Sequence, residues 1–464
     1  MSDISTTDKL TMPRLAVSTS KTKMGLLTMM AVCIGVVIVQ GAMISAMQGI
    51  GMGGMAFIFA MIAALIIAQF NAMSFSELSL MFPQEGTLAT YTQKAIGHFP
   101  AIVAVFAGYV VVATLAIPIE LFLVDAMVGE LLPGMFPEKV IPLAIIAILL
   151  ITNLIGADVF AKVQNLLALI MVSALVLTGL IAINGAGQGV EMAGTPVDWN
   201  FAGVMDGSFI GLIALAMWLF VGAEYICPMI AEVKQPEKSI PRAMRLSLLT
   251  IFAIFAAFAY GATLYLDTDT LLGSPIPYLD YANAVFGKEG LAIATIMALT
   301  ATCSTVNTIF AALPRMLHGM AEAGQAFPQL KALNRYNVPW GGVVMMAVFT
   351  VIPFVLLDID SLIVLVIAAT TSYLLAYMIA HIDVLVLRKR LPEHHRPYRT
   401  PFYPLPQIFG IAAMLYVALN NSPAPEMTQQ VYTIAGGMLL VISLIAAIWV
   451  KFYMKRGLFE ADLS

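Results

Sequence analysis

The chain predicts an all-α membrane protein with twelve transmembrane helices, and three observations carry that prediction. Hydrophobic residues make up 60% of its 464 residues and charged residues only 11%, outside the range of water-soluble globular chains. Apolar segments of about 20 residues, the length that spans a bilayer, recur from one end to the other. Lys and Arg then segregate by side when those segments are threaded through a membrane.

The polar start through Lys23, Ser/Thr-rich over 1–22, shows no cleavable signal pattern, so 1–23 reads as an N-terminal tail. Candidate spans follow at 26–50, 53–75, 101–131, 140–156, 160–183, 203–231, 245–266, 286–320, 341–357, 361–387, 405–420 and 430–453. Glycines rather than charges separate the neighbours at 50–53 and near 157. With both termini cytoplasmic, 21 of the 23 Lys and Arg residues fall inside and only Lys139 and Lys288 outside. An error of one span inverts every later loop and scrambles that partition. The outer connections are acidic instead, with Glu191 and Asp198, then Asp267, Asp269 and Asp280, then Asp358 and Asp360.

Several function classes drop out here. Cys33, Cys227 and Cys303 lie in separate apolar segments with no CxxC pair, which excludes a disulfide framework and a zinc site. No HExxH, Ser-His-Asp arrangement, P-loop or strand-borne GxGxxG appears, so neither an enzyme, a cofactor nor a metal is expected. The Arg388 to Arg399 cluster is explained by topology and anionic lipid, and nucleic acid is not an expected partner. A channel needs a filter motif or charged ring, and none is visible.

The most informative stretch is Trp218-Leu219-Phe220-Val221-Gly222-Ala223-Glu224, a glycine and a carboxylate inside an apolar segment. A carboxylate at bilayer depth costs several kcal/mol (about 2.5 to 3.5 on insertion scales), which makes Glu224 the prime candidate for binding a substrate amine or carrying a coupling proton. The bland reading is a packing glycine beside a carboxylate bonded to a neighbouring helix. Gly222 loosens the helix so that backbone groups can face a ligand. The first span has a matching Gly-interrupted stretch, Gln40-Gly41-Ala42 followed by Gly49, Gly51, Gly53 and Gly54. Spans 1 and 6 stand first in two sets of five, as a five-plus-five inverted repeat requires. The expected organisation is therefore a first repeat at 24–185, a second at 203–390, helices 11 and 12 at 402–454 and a cytoplasmic tail at 455–464. Glycine-rich helices also serve as packing faces.

An unwound helix offers amides to a carboxylate at one half-helix end and carbonyls to a cation at the other. That geometry favours a zwitterion or an amine. Further candidates are Gln40, Gly41 and Ala42 in span 1, Glu120 beyond Pro118 in the outer half of span 3, Trp218 and Phe220, and Ser304 and Asn307 in span 8. Trp218 reads either as an aromatic gate with a cation–π surface or as lipid-facing packing. Gln40 reads either as a substrate contact or as an interhelical bond. Ser304, Thr305 and Asn307 read either as contacts to substrate or sodium near span 1 or as hydroxyls and amides bonded within the helices. Glu77 is expected to pair with a basic loop residue, and Asp125 to end near the outer headgroups.

These residues resemble the amino acid–polyamine–organocation (APC) permeases over nearly the whole chain. Ser76-Glu77-Leu78-Ser79-Leu80-Met81-Phe82-Pro83-Gln84-Glu85-Gly86, with Tyr91 and Gly97, is similar to the family's Glu-Leu…Pro…Gly-Gly…Tyr…Gly stretch. The span-6 segment resembles its Phe-x-Gly-x-Glu break, and Glu232 to Arg242 its Glu-Val-x-x-Pro…Ile-Pro-Arg loop. Arg315 with Gly324 and Pro328, and Arg396-Pro397-Tyr398-Arg399-Thr400-Pro401 with Pro404, resemble its segments after span 8 and before span 11. The resemblance implies a leucine-transporter-like fold, substrate bound midway through the membrane between spans 1, 3, 6, 8 and 10, and alternating access.

Three departures stand against the family pattern. The small Gly-Ser-Gly-type triplet of span 1 is Val39-Gln40-Gly41, which works against an α-carboxylate. The lysine that proton-coupled members often carry in span 5 is Met171, as exchangers allow. Glu120 and Asp125 make span 3 unusually acidic.

The expected function is a secondary-active permease or exchanger for amino acids or cationic amines and polyamines, in the bacterial inner membrane. Its expected partners are that small molecule, membrane lipids, a proton or counter-substrate, and a second copy in a homodimer. The competing readings are a proton-coupled neutral amino acid symporter and a non-transporting sensor or complex subunit.

Overall fold

The computed structural model describes residues 23–188, 195–200, 209–421 and 425–463. The expected tail through residue 22, Glu191 and the start of the sixth expected span lie outside the described residues. Eight described helices are long and apolar enough to cross a membrane, and a pair bent by 67° makes a ninth. Three shorter apolar helices, Val140–Ile155, Trp340–Leu356 and Leu405–Leu419, fall where three further spans are expected.

The bent pair is α1 (Leu26–Val37) and α2 (Gln40–Gly53). The β-branched Ile38 and Val39 between them are extended, a conformation such side chains favour. The break thus precedes Gln40, whereas the expected break residues Gln40, Gly41 and Ala42 form the first turn of α2. The later glycines serve packing: a Cβ on Gly49 meets Phe57 at 2.1 Å and one on Gly53 meets Leu212 at 2.5 Å.

Gly54 turns the chain into α3 (Met55–Met81) with φ 47° and ψ −118°, and a Cβ there meets the Asp198 carbonyl oxygen at 1.9 Å. Gly54→Ala is therefore expected to cost about 1 to 3 kcal/mol or more, read as a lower melting temperature of the purified protein. An unchanged melting temperature speaks against this turn.

The chain continues through α4 (Leu88–Ala95) and α5 (His98–Val105). A π turn at Phe106–Val110 and α6 (Val111–Leu131) complete one span with α5. Then come α7 (Val140–Ile155), α8 (Ala157–Ile183) and α9 (Phe209–Met217). α9 gives way to tight 3-10 turns at Trp218–Phe220 and Ala223–Glu232, separated by Val221 and Gly222.

α10 (Pro236–Ala262) begins at a proline nine residues ahead of the expected start at 245. The 267–289 connection, expected as an acidic loop, holds two short helices, α11 (Thr268–Gly273) and α12 (Pro277–Phe286). Asp267 caps the first by accepting from the Thr270 amide at 2.8 Å, and Pro277 starts the second. Hydrogen bonds from Thr270 hold the Asp267 carboxyl below its ordinary range. The remaining helices are α13 (Gly290–Glu322), α14 (Trp340–Leu356), α15 (Ile359–Arg390), α16 (Leu405–Leu419) and α17 (Pro425–Ile448).

At the basic end of the bundle the sequence motifs meet one another. Glu77, fully buried, accepts from Arg388 at 2.8 and 2.7 Å and from the Thr400 amide at 2.8 Å, with Arg396 at 3.4 Å. Arg315 pairs with Glu232 at 2.7 Å and His318 with Glu85 at 3.2 Å. Met24 bridges to Val233 beside the first pair. The C-terminal segment folds back, its Asp462 amide donating to the Gln93 carbonyl at 3.0 Å and its carboxylate meeting His98 at 3.2 Å. At the other end Asp125 accepts from the Lys139 amide at 3.0 and 2.9 Å, capping α7.

Candidate functional site

Two broken helices set up the site. At the first, α2 begins with its amides uncovered, because Val39 has no side chain able to cap them. The Glu120 carboxylate, from α6, takes that place and accepts from the Gln40 amide at 2.9 Å and the Gly41 amide at 3.1 Å. Thr302 of α13 adds a third donor at 3.2 Å. The Gln40 side chain is locked in turn, donating to the Glu120 carbonyl and to Thr302 and accepting from Tyr278 at 2.5 Å. Gly41 itself borders open space: a Cβ on it meets only a Glu120 carboxylate oxygen, at 3.6 Å.

At the second break, Val221 is extended and Gly222 has φ 122°, a conformation L side chains rarely adopt. The turn packs against the end of α1, since a Cβ on Gly222 meets Val36 at 3.2 Å, and the Cys33 thiol donates to the Ala223 carbonyl at 3.2 Å. The freed Gly222 amide donates to the Tyr377 hydroxyl at 2.9 Å. Glu224 follows, buried, and accepts from Tyr373 at 2.8 Å and Tyr377 at 2.7 Å. Tyr109, from the π turn of the third span, lies 5.5 Å from Tyr225 and 5.3 Å from Tyr373, ring centre to ring centre. Its buried hydroxyl has no partner within normal hydrogen-bond distance among the described residues. Four tyrosines thus gather around one carboxylate, with no Lys, Arg or His ion pair to it among the described residues.

Of the expected site residues, the structure joins Gln40 and Gly41 to Glu120, and Gly222 to the Glu224 group. Ala42 is buried in α2. Trp218 and Phe220 occupy the turn ahead of the second break, the first half-buried and the second buried. Ser304 and Asn307 belong to a different polar cluster. Gln164 donates to Ser304 at 2.7 Å and to the Ala31 carbonyl at 3.0 Å, and Asn307 links Gln164 and Asn153 at 2.9 Å each. Thr305 closes that cluster on the Gly35 carbonyl at 2.9 Å. The residues missed by sequence reasoning are Tyr109, Tyr225, Tyr373, Tyr377, Tyr278 and Thr302. Tyr373 and Tyr377 carried a signal, being one helical turn apart in the middle of a span, where tyrosine is out of its usual interfacial place.

The amino acid permease family model matches residues 28–461. The chain belongs to that family. This permease is 24% identical to the human cystine/glutamate transporter over 428 residues, 88% of this chain and 82% of that one. It is 25% identical to the γ-aminobutyric acid permease of Escherichia coli over 83% of this chain and 84% of that one. It is also 25% identical to the serine/threonine exchanger of Bacillus subtilis, over 86% and 90% respectively. A manganese transporter structure from Eremococcus coleocola superimposes with a TM-score of 0.57 at 12% identity, covering 94% of this chain and 99% of that one. The permease therefore shares the leucine-transporter-like fold of these APC transporters and is a multi-pass membrane protein, not an enzyme.

Proposed function

We propose that this permease carries cationic amines, polyamines or basic amino acids across the cytoplasmic membrane by alternating access between two inverted five-helix halves of a twelve-span bundle. One observation carries the reading: Glu224 is buried among four tyrosines at a broken helix, with no cationic side chain paired to it among the described residues. A carboxylate so placed is neutralised by a proton or by the charge of its ligand. An ammonium group about 4 Å away, at an effective dielectric near 20, gains about 4 kcal/mol before desolvation. The surrounding ring faces add about 0.5 to 2 kcal/mol. The orientation that puts 21 basic residues on one side favours cytoplasmic termini.

A second reading, a proton-coupled neutral amino acid symporter, draws from the relatives only its amino acid substrate, since their named substrates all carry a carboxylate. Uptake of a labelled probe into proteoliposomes, competed by putrescine, agmatine, lysine, alanine and leucine, separates the two. The amine reading expects putrescine, agmatine or lysine to compete more than about tenfold better than alanine or leucine. Competition by the neutral amino acids alone overturns it.

A further inference from the structure

We propose that Glu120 is a built-in carboxylate ligand that fills the anion-binding end of the first broken helix, so that the site selects amines over the corresponding α-amino acids. This rests on the amine reading above and names the residue that sets its specificity.

The positive end of α2 is formed by the uncapped amides of its first turn, where an anion is favoured by both hydrogen bonding and the helix dipole. A substrate carboxylate is the natural occupant of such an end in a broken membrane helix. Here the Gln40 and Gly41 amides are already engaged by Glu120, at 2.9 and 3.1 Å, with Thr302 at 3.2 Å. The carboxylate arrives from another span, 80 residues away in sequence from Gln40, and not from the residue preceding the helix.

The arrangement is fixed from behind. Gln40 holds the Glu120 carbonyl, Thr302 and Tyr278 together, so Glu120 is not simply resting on the helix end. Glu120 itself is buried, but Gly41, beside one of its carboxylate oxygens, is exposed to open space. An amino acid entering that space brings its own carboxylate toward a negative charge whose donors are used. The matching amine, lacking the carboxylate, meets no such repulsion.

A purely structural cap makes the same hydrogen bonds, so the test reads specificity as well as stability. Full-length protein and Glu120→Ala are compared for competition by three pairs, cadaverine with lysine, agmatine with arginine, and tyramine with tyrosine. The parent is expected to prefer the amine of each pair, and the ratio of amine to amino acid affinity is expected to fall at least about tenfold in the variant. An unchanged ratio in folded Glu120→Ala overturns the proposal. Acetate, with acetamide as the neutral control, adds an arm that needs no substrate. It is expected to raise the melting temperature of Glu120→Ala and not that of the parent, and equal effects of acetate and acetamide overturn the claim that the freed amides form an anion site.

Should Glu120→Ala fail to fold, Glu120→Gln keeps the shape and removes the charge. Its amine to amino acid ratio is expected to fall in the same direction by about threefold or more, and no change again overturns the proposal. Acetate rescue without any amine binding to the parent keeps the internal carboxylate and removes the amine reading. Amine binding without rescue or ratio change does the reverse.

Discussion

Glu224→Gln is expected to lower transport at least about tenfold while expression and folding stay near those of the parent. The substitution keeps the side-chain shape and removes the charge. Gln retains one carbonyl oxygen, so it accepts from one of Tyr373 and Tyr377 and presents a donor to the other, where Glu224 accepts from both. The loss therefore falls on ligand charge and on the tyrosine pair together, within a turn already fixed by Gly222 and α1. The measurement is uptake of the strongest competitor found in the proteoliposome panel, as labelled substrate, over a pH series. Parental uptake at every pH would remove Glu224 from both substrate binding and proton coupling.

Glu77→Ala is expected to be the most damaging single change outside the site. Glu77 is fully buried and answers Arg388 twice, the Thr400 amide once and Arg396 at 3.4 Å. Its removal leaves Arg388 with the Thr400 carbonyl and the Tyr403 ring but no counter-charge, and the Thr400 amide without its acceptor, while Arg396 keeps its backbone carbonyls. Breaking a buried pair from one side costs about 3 to 5 kcal/mol. Yield of folded, monodisperse protein in detergent and its melting temperature report the loss. Glu77→Ala with Arg388→Met is expected to recover part of it, because the second change withdraws one stranded charge. Recovery no better than the single variant would mean that the pair is incidental to the fold.

Much of the architecture was legible because it follows from composition and side. Bilayer-length apolar runs and the segregation of basic residues need no knowledge of which face each helix turns inward. The second break was legible for a local reason: Gly222, with φ 122°, stands two residues from a carboxylate in an apolar run. Glu77 was expected to pair with a basic loop residue; it meets Arg396 of the loop at 3.4 Å and, more closely, Arg388 in the last turn of α15 at 2.7 Å.

What sequence did not reveal depends on helical phase and on contacts between distant spans. Tyr109, Tyr373 and Tyr377 come from two spans and converge on Glu224 only after both have been rotated into place. Ser304 and Asn307 look like ligand contacts along a single helix, and the Gln164 amide from α8 takes them up instead. The first break fell at Ile38 and Val39 because β-branched extension, rather than glycine freedom, opens the helix there. Glu120 was read as facing substrate, and its capture by the α2 amides required the bend in the first span to be known.

Tyr109 and Glu120 sit on one span, eleven positions apart, which is about three helical turns and about 16 Å along the axis. Eleven positions also bring the two back to nearly the same stripe of the helix. The third span is thus a rod that carries both the ring facing Glu224 and the plug of α2, each well inside the His98–Leu131 span. Pro118 lies between them, and its ring nitrogen cannot donate to the carbonyl of Thr114 one turn back. Flexing of the rod concentrates at that missing rung. The side chains packed around Pro118 then set how stiffly the tyrosine and the carboxylate are linked.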